Sequence, residues 1–278
     1  MKYSISNFNK TGVAWPIALN NKYKENYLEQ KYFDFQKMAT ACLGKNVSIK
    51  PNLLSTFFDN LAFSEDIIKN VKELIGDNLY LWSSAFFCKA PGEGKIVSYH
   101  QDNPYWQLST TNVVTVWIAL TNSDKKSGAL ELVPNSHNFG IINTLDVQNP
   151  RKAYLNGEKT TSEKDLLSYK QNLDEFLKKH NPEIVELKPG DYSIHHVNTV
   201  HGSGVNYSNN YRIGFALRYI SSDTKHKEES QDSAVHVCGE KNSYFIDEKR
   251  PTSDFSDEAV DAYKKAMFSA GAFGNKKY

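Results

Sequence analysis

Apolar residues recur at helical spacing in two segments of the first hundred residues. In the first segment they follow one another at three- and four-residue steps, at Leu28, Tyr32, Phe35, Met38 and Cys42. Gly44 comes next, and glycine commonly ends a helix. The second segment begins at Ser64, a favourable N-cap residue followed by two acidic residues, and ends before Gly76. The pattern predicts two amphipathic helices that cover a sheet.

From residue 79 onward the pattern changes to that of β-strands. Short runs rich in aromatic and β-branched residues alternate with turn residues such as Pro189-Gly190-Asp191. The predicted strands are 79–88, 113–120, 129–133, 183–187, 192–195 and 211–220. Because these strands are many and short, with no helix between successive pairs, the pattern favours a mainly β fold with flanking helices, a jelly roll, over a parallel α/β sheet.

The chain is predicted to form a single domain over residues 1–278, with a helical N-terminal region at 1–78. The jelly-roll core covers about 79–220 and contains an insertion at 151–180, and a C-terminal extension covers 221–278. Neither the insertion nor the extension has the character of a second domain.

Two polar segments border the predicted core strands. Residues 151–180 are rich in charge, and one amphipathic helix is predicted there from Leu166, Leu167, Tyr169, Leu173, Phe176 and Leu177. Residues 222–234 are too polar to be buried, which predicts a mobile surface loop. The tail regains a helical pattern between Ala259 and Met267. Residues 151–180 and 222–234 are both candidate lids over a site, although a solvated helix and a loose connector explain them equally well.

Composition excludes several classes of partner. With 33 basic and 32 acidic residues the formal charge is +1, so nothing draws the chain to nucleic acid or to an anionic membrane. Its apolar runs are far shorter than the about 20 residues of a membrane-spanning helix. The N-terminal MKYSISNFNK lacks the apolar core of a secretory signal, and Cys42, Cys88 and Cys238 have no CxxC spacing. We therefore expect a cytoplasmic protein with reduced thiols; its oligomeric state is left open.

His100 and Asp102 are the first candidates for chemistry. Residues i and i+2 of an extended chain point to the same side, so the imidazole and the carboxylate can face one point. Two histidines and one carboxylate bind iron(II) and leave open positions, as in non-haem iron oxygenases. A second histidine is available in a downstream cluster of His195, His196 and His201, of which His201 leads into Gly202-Ser203-Gly204. The other four, His137, His180, His226 and His236, are expected to be solvated.

Two arginines share one face of the last predicted core strand. Arg212 and Arg218 alternate with Gly214 and Ala216, whereas the opposite face carries Ile213, Phe215, Leu217 and Tyr219. A face of small residues suits a cavity. A buried guanidinium needs an anionic partner and pairs best with a carboxylate, so a dicarboxylate co-substrate is a natural occupant.

These features make the sequence resemble the phytanoyl-CoA dioxygenase family. The resemblance covers residues 79 to 220, about half of the chain. It rests on His100-Gln101-Asp102 followed by Tyr105-Trp106, Val116 to Leu120, Gly128 to His137, Pro189-Gly190-Asp191, His201 to Gly204, and Arg212 through Tyr219. Members of that family are Fe(II)- and 2-oxoglutarate-dependent oxygenases on a double-stranded β-helix, which is a jelly-roll fold.

The resemblance implies a role for each matching position. Iron would be held by His100, Asp102 and His201, and 2-oxoglutarate by Arg212 and Ser203, with Gln101 and Trp117 lining the same pocket. His196 matches no ligand position, and a structural or supporting role is expected for it. Since Asp102 is present, hydroxylation is expected rather than halogenation. Dioxygen would be consumed, an unactivated carbon hydroxylated, and 2-oxoglutarate converted to succinate and carbon dioxide.

The substrate is the least defined part of the prediction. Asn103, Tyr105, Trp106 and Arg218 are candidate contacts, and a small polar or anionic metabolite is expected because Arg218 is free to meet a second anion. Arg218 pairing with an internal carboxylate such as Glu131 is the competing interpretation. Two further alternatives are a cupin-like metal enzyme that does not use 2-oxoglutarate and a non-catalytic jelly-roll binding module. Arg212 separates the first of these from an oxygenase.

Overall fold

The computed structural model describes residues 3–20, 23, 26–226, 232–242 and 244–269. Within these ranges the helices are α1 (Phe8–Thr11), α2 (Tyr27–Leu43), α3 (Thr56–Ala62), α4 (Glu65–Ile75), α5 (Asn103–Trp106), α6 (Pro150–Leu155), α7 (Asp174–Leu177) and α8 (Asp257–Ser269). The strands are β1 (Val13–Ala18), β2 (Leu79–Lys89), β3 (Val97–His100), β4 (Val113–Ala119), β5 (Leu130–Leu132), β6 (Glu183–Ile184), β7 (Asp191–His196), β8 (His201–Ser203), β9 (Arg212–Ser221), β10 (Asp232–Cys238) and β11 (Phe245–Asp247).

Two sheets make up the core of the fold. The larger sheet has the order β1-β7-β4-β9-β2-β10-β11, and the smaller sheet has the order β3-β8-β5-β6. From β2 to β9, strands 2, 4, 7 and 9 belong to the larger sheet and strands 3, 5, 6 and 8 to the smaller one. This arrangement is a double-stranded β-helix, so the predicted fold class is confirmed.

Strand β9 shows how the larger sheet separates core from cavity. Its predicted apolar side chains join the cluster that packs beneath the helices, at Ile213, Phe215, Leu217 and Tyr219. The ring of Phe215 lies 5.4 Å from that of Phe58 on α3, and Phe58 lies 5.6 Å from Phe35 on α2. The alternate residues of β9 face the smaller sheet, where a cavity lies. The helical layer therefore covers one face of the sheet and leaves the other for a site.

The two predicted N-terminal helices are present. Helix α2 ends before Gly44, and α4 begins after Ser64, whose extended backbone is that of an N-cap. Not every predicted core position is buried, because Met38 and Cys42 are exposed near the end of α2. The C-terminal helix predicted from residue 259 is present as α8.

The single helix predicted over residues 166–177 is wrong. Only α7 is helical there, because the preceding residues bond to the start of β3 instead of to one another. The Ile96 amide donates to the carbonyl of Lys164, and the Leu166 amide donates to the carbonyl of Ile96. The buried Asp165 carboxylate accepts from the amides of Ser98 and Leu167. The insertion is thus attached to a core strand along its middle.

The loop predicted at 222–234 is also partly wrong. His226 forms a bridge with Leu108, and Asp232 begins β10, whose first residues are buried. Strand β10 pairs with β2 and β11, so the C-terminal extension supplies two strands at one end of the larger sheet that the sequence pattern did not reveal. Residues 227–231 of the predicted loop lie outside the described residues.

In the part of the chain that the structure describes, no helix is both long and apolar enough to cross a membrane.

Candidate metal and co-substrate site

The three predicted metal ligands converge between the two sheets. His100 ends β3, and His201 opposite it begins β8, since these residues are register partners in the smaller sheet. Asp102 follows β3 in the first turn before α5. Its Oδ1 atom lies 3.6 Å from Nε2 of His100 and 3.9 Å from Nε2 of His201. The ligand atoms of the three buried side chains all lie within 4.8 Å of one another.

Backbone carbonyls fix the orientation of both imidazoles. Nδ1 of His100 lies 2.9 Å from the carbonyl oxygen of Ser98, and Nδ1 of His201 lies 2.9 Å from that of Thr199. Because a carbonyl can only accept, each Nδ1 donates a proton to it, and each Nε2 is the nitrogen that faces Asp102. This is the arrangement in which histidine binds a metal, with the second nitrogen held by a hydrogen bond. The donor set therefore fits an iron(II) ion.

The electrostatics of Asp102 and His201 favour the protonation states of metal ligands. Burial alone would raise the pKa of Asp102, but the neighbouring His201, His100 and His195 together lower it well below its ordinary value. Burial, reinforced by His100, lowers the pKa of His201 well below its ordinary value. The hydroxyl of Thr115 also donates to Oδ2 of Asp102 at 3.3 Å. A carboxylate and neutral imidazoles are the forms that a metal requires.

His195 is a further histidine at this site, and no role was predicted for it. It lies on β7, and its Nε2 atom is 3.8 Å from Oδ2 of Asp102. The ring is buried, 4.5 Å from that of His201, and neither nitrogen has a hydrogen-bond partner among the described residues. Its register partner Thr115 also reaches Asp102. Side chains of a strand alternate between its two faces, and this alternation along β7 could have placed His195 on the cavity side.

The cavity that holds the metal site is also lined by a cationic group, away from the three ligands. The buried guanidinium of Arg212 lies 3.4 Å from the hydroxyl of Ser203 and 5.6 Å from the ring of Trp117. Burial lowers the pKa of Arg212 to about 10. In the described ranges no carboxylate lies at ion-pair distance from it, and its Nε atom has no hydrogen-bond partner. A buried cation without an anion indicates an anionic ligand.

Lys89 is a second buried cation beside Arg212, and the sequence analysis did not identify it. Its ammonium donates to the hydroxyl of Ser203 at 2.6 Å and to the carbonyl oxygens of Ser203 and Gly204. Burial, reinforced by the charge of Arg212, lowers the pKa of Lys89 to about 7. A lysine at the end of an otherwise apolar strand is the signal that was overlooked.

Trp117 and Gly214 shape the wall between the two ends of the cavity. They face each other across β4 and β9, and a Cβ atom at Gly214 would lie 1.9 Å from Cζ2 of the indole. Glycine is therefore required for the indole to lie flat against the sheet. The indole in turn faces Arg212, so the predicted place of Trp117 in the pocket agrees with the structure.

Gln101 and Asn103 do not reach the cavity, contrary to the roles predicted for them. Neither residue lines the cavity, and both side chains bond to other segments instead. The Gln101 amide donates to the carbonyls of Gly140 and Asn198, and its oxygen accepts from Ile142 and Gln171. Asn103 donates to the side chain of Asn198 at 2.9 Å. Both residues join loops behind the site.

The other predicted substrate contacts line the cavity, whose volume is about 140 Å³. The Tyr105 ring lies 5.6 Å from that of His100, and its hydroxyl donates to the carbonyl of Tyr169. Arg218 lies over Trp106, with 5.3 Å between its Cζ atom and the ring centroid. Arg218 does not pair with Glu131, which instead accepts from Tyr99.

The insertion borders this cavity as predicted for a lid, since Leu167 lines it. Among the described residues of the other candidate lid, Asp232 accepts a 2.7 Å hydrogen bond from the indole of Trp82. Whether either segment becomes ordered on substrate binding stays a prediction, to be tested by hydrogen exchange with and without substrate.

The histidines expected to be solvated are all partly buried. His137 contacts the carbonyl of Asn9 and lies 5.3 Å, between ring centroids, from His196. Burial, with His137 and His195 adding to it, lowers the pKa of His196 to about 4. His180 stacks on Phe176 at 4.2 Å. His137 and His196 thus fasten the N-terminal segment to the core, in agreement with the structural role expected of His196.

Comparisons with known proteins agree with this geometry. The family model of phytanoyl-CoA dioxygenase matches residues 18–214. A probable alpha-ketoglutarate-dependent hypophosphite dioxygenase of Stutzerimonas stutzeri is 29% identical over 173 residues, which are 62% of this chain and 56% of that protein. An ectoine dioxygenase of Halomonas elongata is 27% identical over 62% of this chain and 52% of its own length. The chain thus matches about half of the length of these curated relatives.

Solved structures share the fold. The non-heme monooxygenase ThoJ in its apo form has a TM-score of 0.78 at 22% identity, with 96% of each chain covered. CytC3 with Fe(II) and alpha-ketoglutarate has a TM-score of 0.62 at 18% identity, covering 91% of this chain and 95% of the other. The fold and the histidine–aspartate–histidine site thus define a double-stranded β-helix protein with a mononuclear metal site. The chain belongs to the phytanoyl-CoA dioxygenase family.

Proposed function

We propose that the protein is an Fe(II)- and 2-oxoglutarate-dependent dioxygenase that hydroxylates an unactivated carbon of a small polar or anionic metabolite. The observation that carries this proposal is a cavity lined both by the three-residue metal site and by the buried Arg212, whose guanidinium has no carboxylate partner among the described residues. When bound, iron and 2-oxoglutarate supply the oxidising chemistry, with dioxygen consumed and succinate and carbon dioxide released.

The chain's own residues would bind and orient the metal and the co-substrate. His100, Asp102 and His201 would hold the metal through three atoms on one side, which leaves the cavity side open for other ligands. Arg212 would hold the distal carboxylate of 2-oxoglutarate as a charge-assisted pair.

Lys89 and Ser203 support Arg212 at this end of the cavity. The Ser203 hydroxyl lies between both cations, and the Lys89 ammonium adds positive charge where the co-substrate carboxylate would lie. Trp117 closes the side wall and excludes water from the pair. A cupin-like enzyme that does not use 2-oxoglutarate has no need of buried cations that bind a carboxylate. The oxygenase is therefore favoured over that alternative.

Anaerobic calorimetry tests the proposal directly. The wild-type protein should bind Fe(II) and then 2-oxoglutarate in a one-to-one ratio. Arg212→Lys keeps the charge but loses the planar fork, so its affinity for 2-oxoglutarate should fall by about 2–5 kcal/mol while iron binding is unchanged. Lys178→Gln, which alters an exposed lysine, is the control and should bind as wild type. An unchanged affinity in Arg212→Lys would contradict the proposal.

A further inference from the structure

A second cavity of about 550 Å³ adjoins the metal cavity. It lies beside β2 and is lined among others by Tyr32, Trp82, Cys88, Lys95 and Leu166; we call it the outer groove. Phe87, Trp106 and Arg218 line both cavities, so these three side chains form the boundary between them. A molecule that passes from the outer groove towards the metal site must contact them.

Arg218 is the unpaired cation at this boundary. No described residue accepts a hydrogen bond from its guanidinium, and the Nε atom is buried without a partner. The other cation that lines the outer groove, Lys95, is already paired with Glu93. The charge of Asp102 acts on Arg218, but the two side chains do not form an ion pair and Asp102 belongs to the metal site. The positive charge of Arg218 is thus available to a ligand.

Aromatic rings hold the guanidinium of Arg218 in place. Its Cζ atom lies 5.8 Å from the ring centroid of Phe87 and 5.3 Å from that of Trp106. Trp106 packs edge-on against Trp82 at 5.3 Å, and the Trp82 indole donates to Asp232. Rings stabilise a cation but accept none of its in-plane hydrogen bonds, so its donors stay free for an acid group.

We propose that Arg218 and the outer groove bind the substrate as a small organic acid, with its acid group on Arg218 and its apolar or aromatic body along Phe87, Trp106 and Trp82. This inference rests on the proposed function and adds the class of substrate to it. The metal cavity of about 140 Å³ must also hold 2-oxoglutarate, so the body of the substrate needs the larger outer groove. A carboxylate and a phosphonate satisfy the same guanidinium chemistry.

Calorimetry with matched acids and neutral compounds tests this site. The probes are phenylacetate against phenylacetamide, hexanoate against hexanamide, and benzylphosphonate against its diethyl ester, added anaerobically to full-length protein saturated with Fe(II) and 2-oxoglutarate. At least one acid should bind about tenfold or more tightly than its neutral counterpart, as expected for a charge-assisted pair worth at least about 1.4 kcal/mol. The carboxylate and phosphonate arms show which acid group is preferred.

Variants of Arg218 connect that preference to the residue. Arg218→Gln should abolish the preference for the acid, Arg218→Lys should retain part of it, and the charge-matched surface control Lys178→Gln should leave it unchanged. Thermal melting of each variant, together with normal iron and 2-oxoglutarate binding, confirms that the fold is intact. Equal affinity for acids and neutral compounds, no binding of any acid, or a preference that survives in Arg218→Gln would overturn the inference.

The same titrations without iron and 2-oxoglutarate separate this inference from the proposed function. Arg218-dependent acid binding by a protein that binds neither iron nor 2-oxoglutarate would support the acid site and contradict the oxygenase. A wild-type protein that binds both iron and 2-oxoglutarate but shows no preference for acids would overturn the acid site alone.

Discussion

The ammonium of Lys89 donates a 2.6 Å hydrogen bond to the hydroxyl of Ser203, and the guanidinium of Arg212 lies 3.4 Å from the same oxygen. One hydroxyl thus lies between two buried cations on neighbouring strands. Burial, together with the charge of Arg212, lowers the pKa of Lys89 to about 7. A bound carboxylate would reverse this effect, because it stabilises the protonated ammonium.

The affinity for 2-oxoglutarate should therefore fall as the pH rises through about 7. Below that pH Lys89 is already charged, whereas above it binding must take up a proton, at a cost of up to about tenfold in affinity per pH unit. Anaerobic calorimetry in buffers of different ionisation enthalpy measures both the affinity and the proton uptake. Lys89→Met should bind more weakly and show neither effect in this range. A pH-independent affinity in the wild type would argue against the role of Lys89.

His195 should support iron binding through Asp102. Its Nε2 atom lies 3.8 Å from the carboxylate oxygen, and groups that orient a metal ligand typically contribute about 10- to 100-fold in metal affinity. His195→Leu should weaken Fe(II) binding to that extent, while at saturating iron its affinity for 2-oxoglutarate is unchanged. His195→Gln should recover part of the loss, and His236→Leu, remote from the site, should have no effect. Equal iron affinity in all four proteins would refute a positioning role.

Gln101 should stabilise the fold rather than bind 2-oxoglutarate. Its side chain joins the segments around Gly140, Gln171 and Asn198, so Gln101→Ala leaves several buried groups unpaired. We expect its free energy of unfolding to fall by about 1–3 kcal/mol, with normal 2-oxoglutarate affinity in the folded fraction. Urea unfolding measures the first quantity, and the exposed Gln30→Ala is the control. Weakened co-substrate binding without loss of stability would restore the role suggested by the sequence.

Gly214 should not accept a larger residue. In Gly214→Ala the new methyl group would overlap the Trp117 indole, so the indole must move into the co-substrate end of the cavity. Overpacking of this kind costs about 1–3 kcal/mol of stability. Binding of 2-oxoglutarate should weaken as well. Gly204→Ala, where the nearest atom is 3.9 Å from the new Cβ, should show neither effect; equal behaviour of the two variants would contradict the packing described.

Local patterns predicted the parts of the fold that depend on sequence neighbours. The alternation along Arg212 to Tyr219 separates the core face of β9 from its cavity face, and the spacing of His100 and Asp102 puts them on one side. The helix predicted at 166–177 failed because Asp165 and Leu166 bond to β3, a partner remote in sequence. Lys89 and His195 were missed for a similar reason, since their roles arise only where β2 and β7 meet other strands. Long-range pairing is not encoded in local periodicity.

Succinate formation tests the central claim, that Asp102 holds the metal of a 2-oxoglutarate oxygenase. The protein is loaded anaerobically with Fe(II) and 2-oxoglutarate, exposed to air, and assayed for succinate and carbon dioxide. In wild type and in the control Asp174→Ala, where the altered residue is exposed, succinate and carbon dioxide should be released in a one-to-one ratio. Asp102→Ala should release no more of either product than iron without protein does. Equal product formation by wild type and Asp102→Ala, or none by any of them, would contradict the account.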